Sequence, residues 1–249
     1  MELNVRIKDK RGKLLNTPYA PRIMTILEDI EGVVRNRECF SIIKDGSTTT
    51  VGFVKGGMFG IPFDIALKRF NYRYRGMLHT IAKRIAGTRA RRLYGINLRF
   101  FKKGLCVPQP LGFLEAADAK NSFYISRYEE VIDNLASLYV CKKGLFNRID
   151  RLASRLAQTI AKWHLSGAVH GDLKWTNILV AKDAFFFVDT DQANLFRRPN
   201  IKGMNKDIAR FSRYGVRLGA QTWLKREFLP AYASFLPDDI RGKIEGLAL

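Results

Sequence analysis

The sequence has few cysteines and no long hydrophobic run. Its three cysteines, Cys39, Cys106 and Cys141, lie far apart and match no metal-binding spacing, so we expect reduced thiols in a cytosolic protein. No apolar run approaches the ~18–20 residues that a membrane span requires. The segment from Met1 to Lys13 is too charged for a signal peptide. These absences argue against a disulfide scaffold, a zinc site and a membrane-spanning protein, and they predict a cytoplasmic location.

Acidic residues are also scarce. The chain of 249 residues has 43 lysines and arginines against 23 acids, a net charge of +20. Between Ile65 and Leu114, which we call the basic segment, there is no Asp or Glu at all. The basic residues of this segment are Lys68, Arg69, Arg73, Arg75, Lys83, Arg84, Arg89, Arg91, Arg92, Arg99, Lys102 and Lys103. Because solvated surfaces usually mix both signs, this pattern favours a polyanionic partner such as nucleic acid, an anionic membrane surface or a phosphorylated glycolipid.

The polar residues with the most informative spacing lie between Ala168 and Ala193. His170 and Asp172 are followed by Asn177 in the spacing H-x-D-x-x-x-x-N, and Asp189 comes at the end of the apolar run 184–188. This spacing is typical of the catalytic loop of kinases and of the metal-binding Asp that follows it. The alternative is a solvated turn between two strands, but the apolar runs on either side favour rigid supports for a site.

The residue types suit phosphoryl transfer. Asp172 is expected to orient the acceptor hydroxyl and take its proton, and Lys174 to offset charge on the transferred group. Asn177 and Asp189 offer the hard oxygen ligands that Mg²⁺ prefers. Asp191 is a second candidate for the metal, although its position after the strand favours Asp189.

A nucleotide-binding part is predicted upstream. Residues 39–54 read as strand, turn and strand, and the loop Asp45 to Thr50 would cover the phosphates of ATP. It lacks a full G-x-G-x-x-G, so the hydroxyls of Ser47, Thr48 and Thr49 are expected to assist the backbone there. A further strand, Phe63 to Phe70, carries Lys68 as the candidate lysine for the α- and β-phosphates.

The remaining segments are predicted to be mostly helical. Residues 1–36 read as an irregular or partly helical lead with a short amphipathic helix near Ile23 to Ile30. Residues 76–103, 147–165 and 204–219 have helical periodicity.

Two polar residues on these helices have open roles. His164 is expected to pack or hydrogen-bond rather than to catalyse. Asp207, at the predicted start of the helix 204–219, has two equal interpretations: a partner of the helix dipole, or a brace for the backbone of the catalytic loop.

The chain resembles the lipopolysaccharide kinase family, kinase-like enzymes that phosphorylate heptose or Kdo sugars of the lipopolysaccharide inner core. The likeness rests on I-K-D-G-S-T-T-T-V-G-F-V, A-L-K-R-F-N, H-G-D-L-K-W-T-N-I-L-V and V-D-T-D-Q-A, and most specifically on T-R-A-R-R with V-P-Q-P-L. The resemblance implies a two-lobed α+β kinase-like fold, with a small β-rich lobe at 1–128 and a mostly helical lobe at 129–249. It also implies ATP, Mg²⁺, and a sugar hydroxyl on a membrane-embedded glycolipid as acceptor.

One departure concerns Lys68. Most kinases pair this lysine with a Glu on the next helix, and the basic segment has no acid. Asn97 or Asp189 could take that place.

Two other functions compete with a glycolipid kinase on the inner leaflet of the membrane. An atypical protein kinase is disfavoured by the short segment after Ala193, which has no A-P-E. A non-catalytic kinase-like module that binds polyanions is disfavoured by the intact Asp172, Asn177 and Asp189. Nucleic acid is the less favoured polyanion, because interleaved aromatic platforms for single strands are lacking.

Overall fold

The structure is a computed structural model that describes residues 1–70, 88–116, 121–149 and 151–245. The chain divides into two compact units. The first unit comprises Met1–Leu98 and Pro108–Glu129, and the second comprises Arg99–Val107 and Glu130–Leu249. The first is built on an antiparallel sheet and the second is mainly helical, so the predicted α+β class is confirmed.

A seven-stranded antiparallel sheet forms the first unit, in the order β1-β2-β6-β7-β5-β4-β3. Its strands are β1 (Glu2–Ile7), β2 (Lys10–Leu15), β3 (Phe40–Asp45), β4 (Thr49–Val54), β5 (Ile65–Phe70), β6 (Pro110–Ala116) and β7 (Ser122–Arg127). The helices of this part of the chain are α1 (Ala20–Glu28), α2 (Ile30–Arg35) and α3 (Arg89–Lys102), with a 3₁₀ turn at Gly56–Phe59.

Alternation along the strands creates two different faces of this sheet. One face joins Leu67, Leu114 and Ile125 to the buried residues of α1 and α2 in a single apolar cluster. The opposite face meets α3, where Tyr94 packs on Phe113 at a ring-centroid distance of 5.4 Å. Lys68 lies on this second face, because it alternates with Leu67 along β5.

The first residues of the chain correct the sequence analysis. Residues 2–15 form the hairpin β1–β2, which extends the sheet through the pairing of β2 with β6, and are not an irregular or helical lead. The signal was the alternation of Val5 and Ile7, which are buried, with exposed Asn4 and Arg6. The predicted short helix near Ile23 to Ile30 is present as α1, which is followed directly by α2.

The other predicted elements of this unit are found with shifted bounds. The hairpin β3–β4 turns at Asp45–Thr49, and the strand with Lys68 begins at Ile65 instead of Phe63. Within the predicted helix 76–103, the part that the structure describes is α3, and residues 71–87 lie outside the described residues.

The second unit consists of helices around two small sheets, β11-β10-β8 and β12-β9. The helices are α4 (Leu135–Cys141), α5 (Lys143–Arg148), α6 (Leu152–Leu165), α7 (Ile201–Arg217), α8 (Gln221–Trp223), α9 (Leu229–Ser234) and α10 (Asp238–Arg241). Leu224–Phe228 forms a π-helical turn between α8 and α9. The strands are β8 (Asp133–Asn134), β9 (Ala168–Val169), β10 (Ile178–Val180), β11 (Phe185–Phe187) and β12 (Asn194–Leu195).

Helix α7 begins earlier than predicted. Its first residue is Ile201, and the side chain of Asn200 caps it by accepting a hydrogen bond from the Gly203 N–H. Asp207 therefore lies in the second turn of the helix, where the helix-dipole interpretation no longer applies.

None of the helices in the described ranges has both the length and the apolar character needed to cross a bilayer.

Candidate active site

The segment with the H-x-D-x-x-x-x-N spacing connects β9 to β10, and a 3₁₀ turn at Trp175–Asn177 leads into β10. Strands β10 and β11 pair in antiparallel register, with Ile178 opposite Phe187. The backbone N–H of Val188 then donates to the carbonyl of Asn177 over 3.0 Å. The pairing therefore places the residues that follow β11, including Asp189, beside Asn177.

Trp175 anchors this loop in the core. Its ring is fully buried between Tyr139, Phe211 and Trp223, with centroid distances of 5.4–5.6 Å. Its indole N–H donates to the backbone carbonyl of Phe211 over 3.1 Å. Gly215 of α7 allows the close approach, since a Cβ there would lie 2.5 Å from the Trp175 ring. The loop is thus attached to a rigid support.

Asp207 braces the backbone of the loop. Its buried carboxylate accepts hydrogen bonds from the N–H groups of His170 at 2.6 Å and Gly171 at 2.9 Å. Gly171 has φ +78°, and a Cβ there would lie 2.7 Å from the carbonyl of Gln192, so glycine is required. Of the two interpretations of Asp207, the brace is confirmed.

His164 belongs to the same buried network. Its Nδ1 lies 2.7 Å from the hydroxyl of Tyr232 and its Nε2 lies 3.4 Å from Asp207. The prediction that His164 has a hydrogen-bonding role is therefore confirmed.

His170 bridges the loop and the segment before Asp189. Its Nε2 lies 3.0 Å from the carbonyl of Val188, and its Nδ1 accepts from the N–H of Asp172 at 3.3 Å. These partners require a proton on Nε2 and none on Nδ1. Burial lowers the pKa of His170 and outweighs the opposing effects of Asp207 and the Val188 carbonyl. The neutral ring of His170 therefore forms hydrogen bonds at both nitrogens, to the Val188 carbonyl and to the Asp172 N–H.

Asp172 lies between two cations. Its Oδ2 is 3.0 Å from the ammonium of Lys174, and its Oδ1 is 2.6 Å from Nη1 of Arg210 on α7. Burial tends to raise the pKa of Asp172, but the hydrogen bonds and charges of Lys174 and Arg210 outweigh it and lower the pKa. The carboxylate, 19% exposed, is therefore ionised at neutral pH and accessible to a ligand.

Asn177 is oriented by Asp172. Its Nδ2 donates to the Asp172 carbonyl at 3.0 Å and to the Asp172 carboxylate at 3.3 Å. The amide group of Asn177 therefore turns its nitrogen, and not its oxygen, towards Asp172. Asp189 has a left-handed backbone, φ 59° and ψ 42°, which ends the extended chain after β11. Amide and carboxylate oxygens are both ligands that Mg²⁺ accepts, and this ion usually takes few protein ligands and completes its shell with phosphate and water.

No cluster of three or more His, Cys, Asp or Glu with metal-binding geometry occurs in the described part of the chain.

The predicted nucleotide residues belong to the first unit. Lys68 is paired across the sheet with Val51 of β4 and Tyr124 of β7, and its ammonium lies 5.3 Å from the centre of the Phe70 ring. Asn97 of α3 donates to the hydroxyl of Tyr124 over 3.0 Å. Asn97 thus lies against the cross-strand neighbour of Lys68, while the partner of Lys68 itself stays a prediction.

Ser47, Thr48 and Thr49 lie at the turn between β3 and β4. The turn is closed by hydrogen bonds from the Gly46 N–H to the Thr49 carbonyl at 3.0 Å and from the Thr50 hydroxyl to Asp45 at 2.8 Å. Their contact with phosphates stays a prediction.

Arg210 is the residue that the sequence analysis missed. It follows Asp207 by three positions on α7, so both side chains point from one helix face towards the loop. If Asp207 braces the catalytic loop, the spacing of three positions predicts that Arg210 also lies near that loop, and this was the available signal. The charge alone was uninformative in so basic a chain.

Two of three comparisons with known proteins find a match. The family model described as "Lipopolysaccharide kinase (Kdo/WaaP) family" matches residues 55–232. A solved structure described as "WaaP in complex with acyl carrier protein" is similar, with a TM-score of 0.55 and 16% sequence identity, over 95% of this chain and 99% of that chain. Among curated proteins no match is found. The structural likeness confirms the predicted kinase-like fold.

Proposed function

Because the chain belongs to the lipopolysaccharide kinase (Kdo/WaaP) family, we propose that it transfers the γ-phosphate of ATP to a hydroxyl of a lipopolysaccharide inner-core sugar. The observation that carries this proposal is the arrangement of Asp172 and Asn177. The Nδ2 group of Asn177 donates to the carbonyl and to the ionised carboxylate of Asp172, which supports the Asn177 amide oxygen as the atom for a metal.

Asp172 orients the acceptor. The sugar hydroxyl donates its hydrogen bond to the carboxylate, which takes the proton as the sugar oxygen bonds to the γ-phosphorus and the bond from that phosphorus to the bridging oxygen of ADP breaks. Lys174, 3.0 Å from Asp172 and 35% exposed, is long enough to turn towards the transferred phosphoryl group. There its charge offsets the negative charge of the transition state.

Asn177 and Asp189 would hold Mg²⁺, which would neutralise phosphate charge. Lys68 contacts the α- and β-phosphates, and the turn with Ser47, Thr48 and Thr49 covers them. In this proposal the nucleotide-covering lobe is 1–128 and the catalytic lobe is 129–249.

The basic segment supports an anionic glycolipid as acceptor. This segment carries 12 basic residues and no acid, and such a charge attracts the phosphates and acidic sugars of the lipopolysaccharide core, or anionic lipid head groups. We therefore place the protein in the cytoplasm, peripherally bound to the inner leaflet of the inner membrane.

The test uses purified protein with radiolabelled Mg-ATP and membrane glycolipid from cells that lack the protein. We expect label in the glycolipid, a mass gain of about 80 Da for one phosphoryl group, and loss of transfer in Asp172→Ala and Asp189→Ala. Asp183→Ala is the matched control, because Asp183 is exposed in the turn between β10 and β11.

Three results would contradict parts of the proposal. Near-normal turnover of Asp189→Ala would refute the metal assignment. Label in cell protein instead of glycolipid would favour an atypical protein kinase. Tight binding of polyanions without ATP turnover would favour a non-catalytic module.

A further inference from the structure

Arg210 contacts the loop through a single nitrogen. Its Nη1 donates to the carbonyl of Gly171 at 2.9 Å and to Oδ1 of Asp172 at 2.6 Å. These two bonds use both hydrogens of Nη1. The end of the side chain is thereby fixed beside the carboxylate that receives the acceptor hydroxyl.

The other edge of the guanidinium remains available. Nε and Nη2 carry the remaining three N–H donors, and neither atom has a hydrogen-bond partner among the residues that the structure describes. This edge forms the planar fork that matches a carboxylate or a phosphate with two parallel hydrogen bonds. The side chain is 42% exposed, so a ligand can reach it.

The charges of this cluster do not cancel. The carboxylate of Asp172 is paired with two cations, Lys174 and Arg210. A guanidinium needed only to hold Asp172 in place would gain most by using its fork on that carboxylate, which it does not do.

We propose that Arg210 is a specificity-determining residue that binds a carboxylate or phosphate group of the acceptor, next to the hydroxyl held by Asp172. This inference rests on the proposed function and deepens it. The acceptor sugar, or the sugar bonded to it, carries an oxyanion close to the hydroxyl that becomes phosphorylated.

The experiment measures steady-state kinetics with core oligosaccharide freed of fatty acids, from cells that lack the protein. The oligosaccharide is used in three forms: untreated, with its phosphate esters removed, and with its carboxylates reduced to alcohols. We expect Arg210→Gln to raise KM for the untreated form about 10- to 100-fold, the usual effect of losing a hydrogen bond to a charged group. KM for ATP should stay within about twofold, since the fork does not touch the nucleotide.

The treated forms identify the oxyanion. With the form that lacks the bound group, KM of the wild type should be higher by the same factor that Arg210→Gln causes with the untreated form. Arg210→Gln should then raise KM for that form no further, as in a double-mutant cycle. Arg210→Lys keeps a charge near Asp172 but loses the fork, so its KM should lie between the two. Arg213→Gln is the matched control, because Arg213 lies on the same helix and bonds to its own helix carbonyl at Ala209.

Four outcomes would overturn the inference. If Arg210→Gln and Arg210→Lys lower kcat equally with all three forms and leave KM unchanged, Arg210 only positions Asp172. An increase of KM for ATP in Arg210→Gln would show that Arg210 contacts the nucleotide. An equal effect of Arg213→Gln would assign the loss to general positive charge. If the wild type transfers no phosphate to any form or to the intact glycolipid, the proposed function fails together with the inference.

Discussion

Replacing Asp207 by Asn tests the bracing of the catalytic loop most directly. The native carboxylate accepts the N–H groups of His170 and Gly171 at 2.6 Å and 2.9 Å in a fully buried position. In Asp207→Asn one oxygen becomes an NH₂ group, so one of these backbone donors faces another donor. The variant thus loses a charge-assisted hydrogen bond and leaves a buried N–H without a partner.

The expected cost follows from these two terms. A hydrogen bond to a charged group contributes about 1.5–3 kcal/mol, and an unsatisfied buried donor costs about 1–3 kcal/mol. The free energy of unfolding should therefore fall by about 3–5 kcal/mol. With a urea dependence of about 2 kcal/mol per molar, the unfolding midpoint moves down by about 2 M.

The assay is urea unfolding followed by tryptophan fluorescence. All three tryptophans, Trp163, Trp175 and Trp223, belong to the second unit, so the signal reports the unit that contains Asp207. This avoids treating the whole chain as a two-state folder.

Asp238→Asn is the matched control. The Asp238 side chain is 94% exposed and pairs with Arg241 one helical turn away, so its loss should cost less than about 0.5 kcal/mol. A change below about 1 kcal/mol in Asp207→Asn would refute the assignment of Asp207 as the brace.

Two further predictions concern the same loop. Gly171→Ala should lower the free energy of unfolding by about 2–4 kcal/mol, because φ is +78° and the new Cβ would lie 2.7 Å from the Gln192 carbonyl. Gly219→Ala is the control: its φ is +80° but the space around it is open, so it should cost only about 1 kcal/mol. Equal costs of the two variants in the same urea assay would contradict the clash at Gly171. Because the pKa of His170 is lowered by burial, the unfolded chain binds a proton that the folded protein does not, so stability should decrease by up to about 1.4 kcal/mol per pH unit as pH falls below about 6.5. His170→Asn should show a shallower dependence between pH 7.5 and 5.5, and identical slopes would show that another group titrates.

Local patterns predicted several of the strands and helices correctly. The hairpin β3–β4, the strand with Lys68 and the helix before the catalytic loop all follow from short-range hydrophobic periodicity and turn residues. The hairpin of residues 2–15 was missed because two short strands with many charges bury little apolar surface of their own. They are stabilised by pairing with β6, a strand about a hundred residues away in sequence.

In the candidate site, too, the features that are local in sequence could be predicted and those that depend on tertiary contacts could not. The spacing of Asp172, Asn177 and Asp189 could be recognised because the loop and the paired strands β10 and β11 are contiguous in sequence, so their geometry is local. The orientation of the Asn177 amide could not be recognised from the sequence, since it depends on the rotamer of Asp172 and on the residues around Asp172.

Residue types and spacing were therefore enough for the class of chemistry, the family and the α+β fold. The roles of Asp207 and Arg210 required the folded chain. Both reach the loop from α7, more than 30 residues later, and hold it through hydrogen bonds of 2.6–2.9 Å. Such contacts depend on where packing places a helix, and the burial of Trp175 against Phe211 sets that placement. A sequence records the residues that can form these bonds, and the packing selects which of them meet.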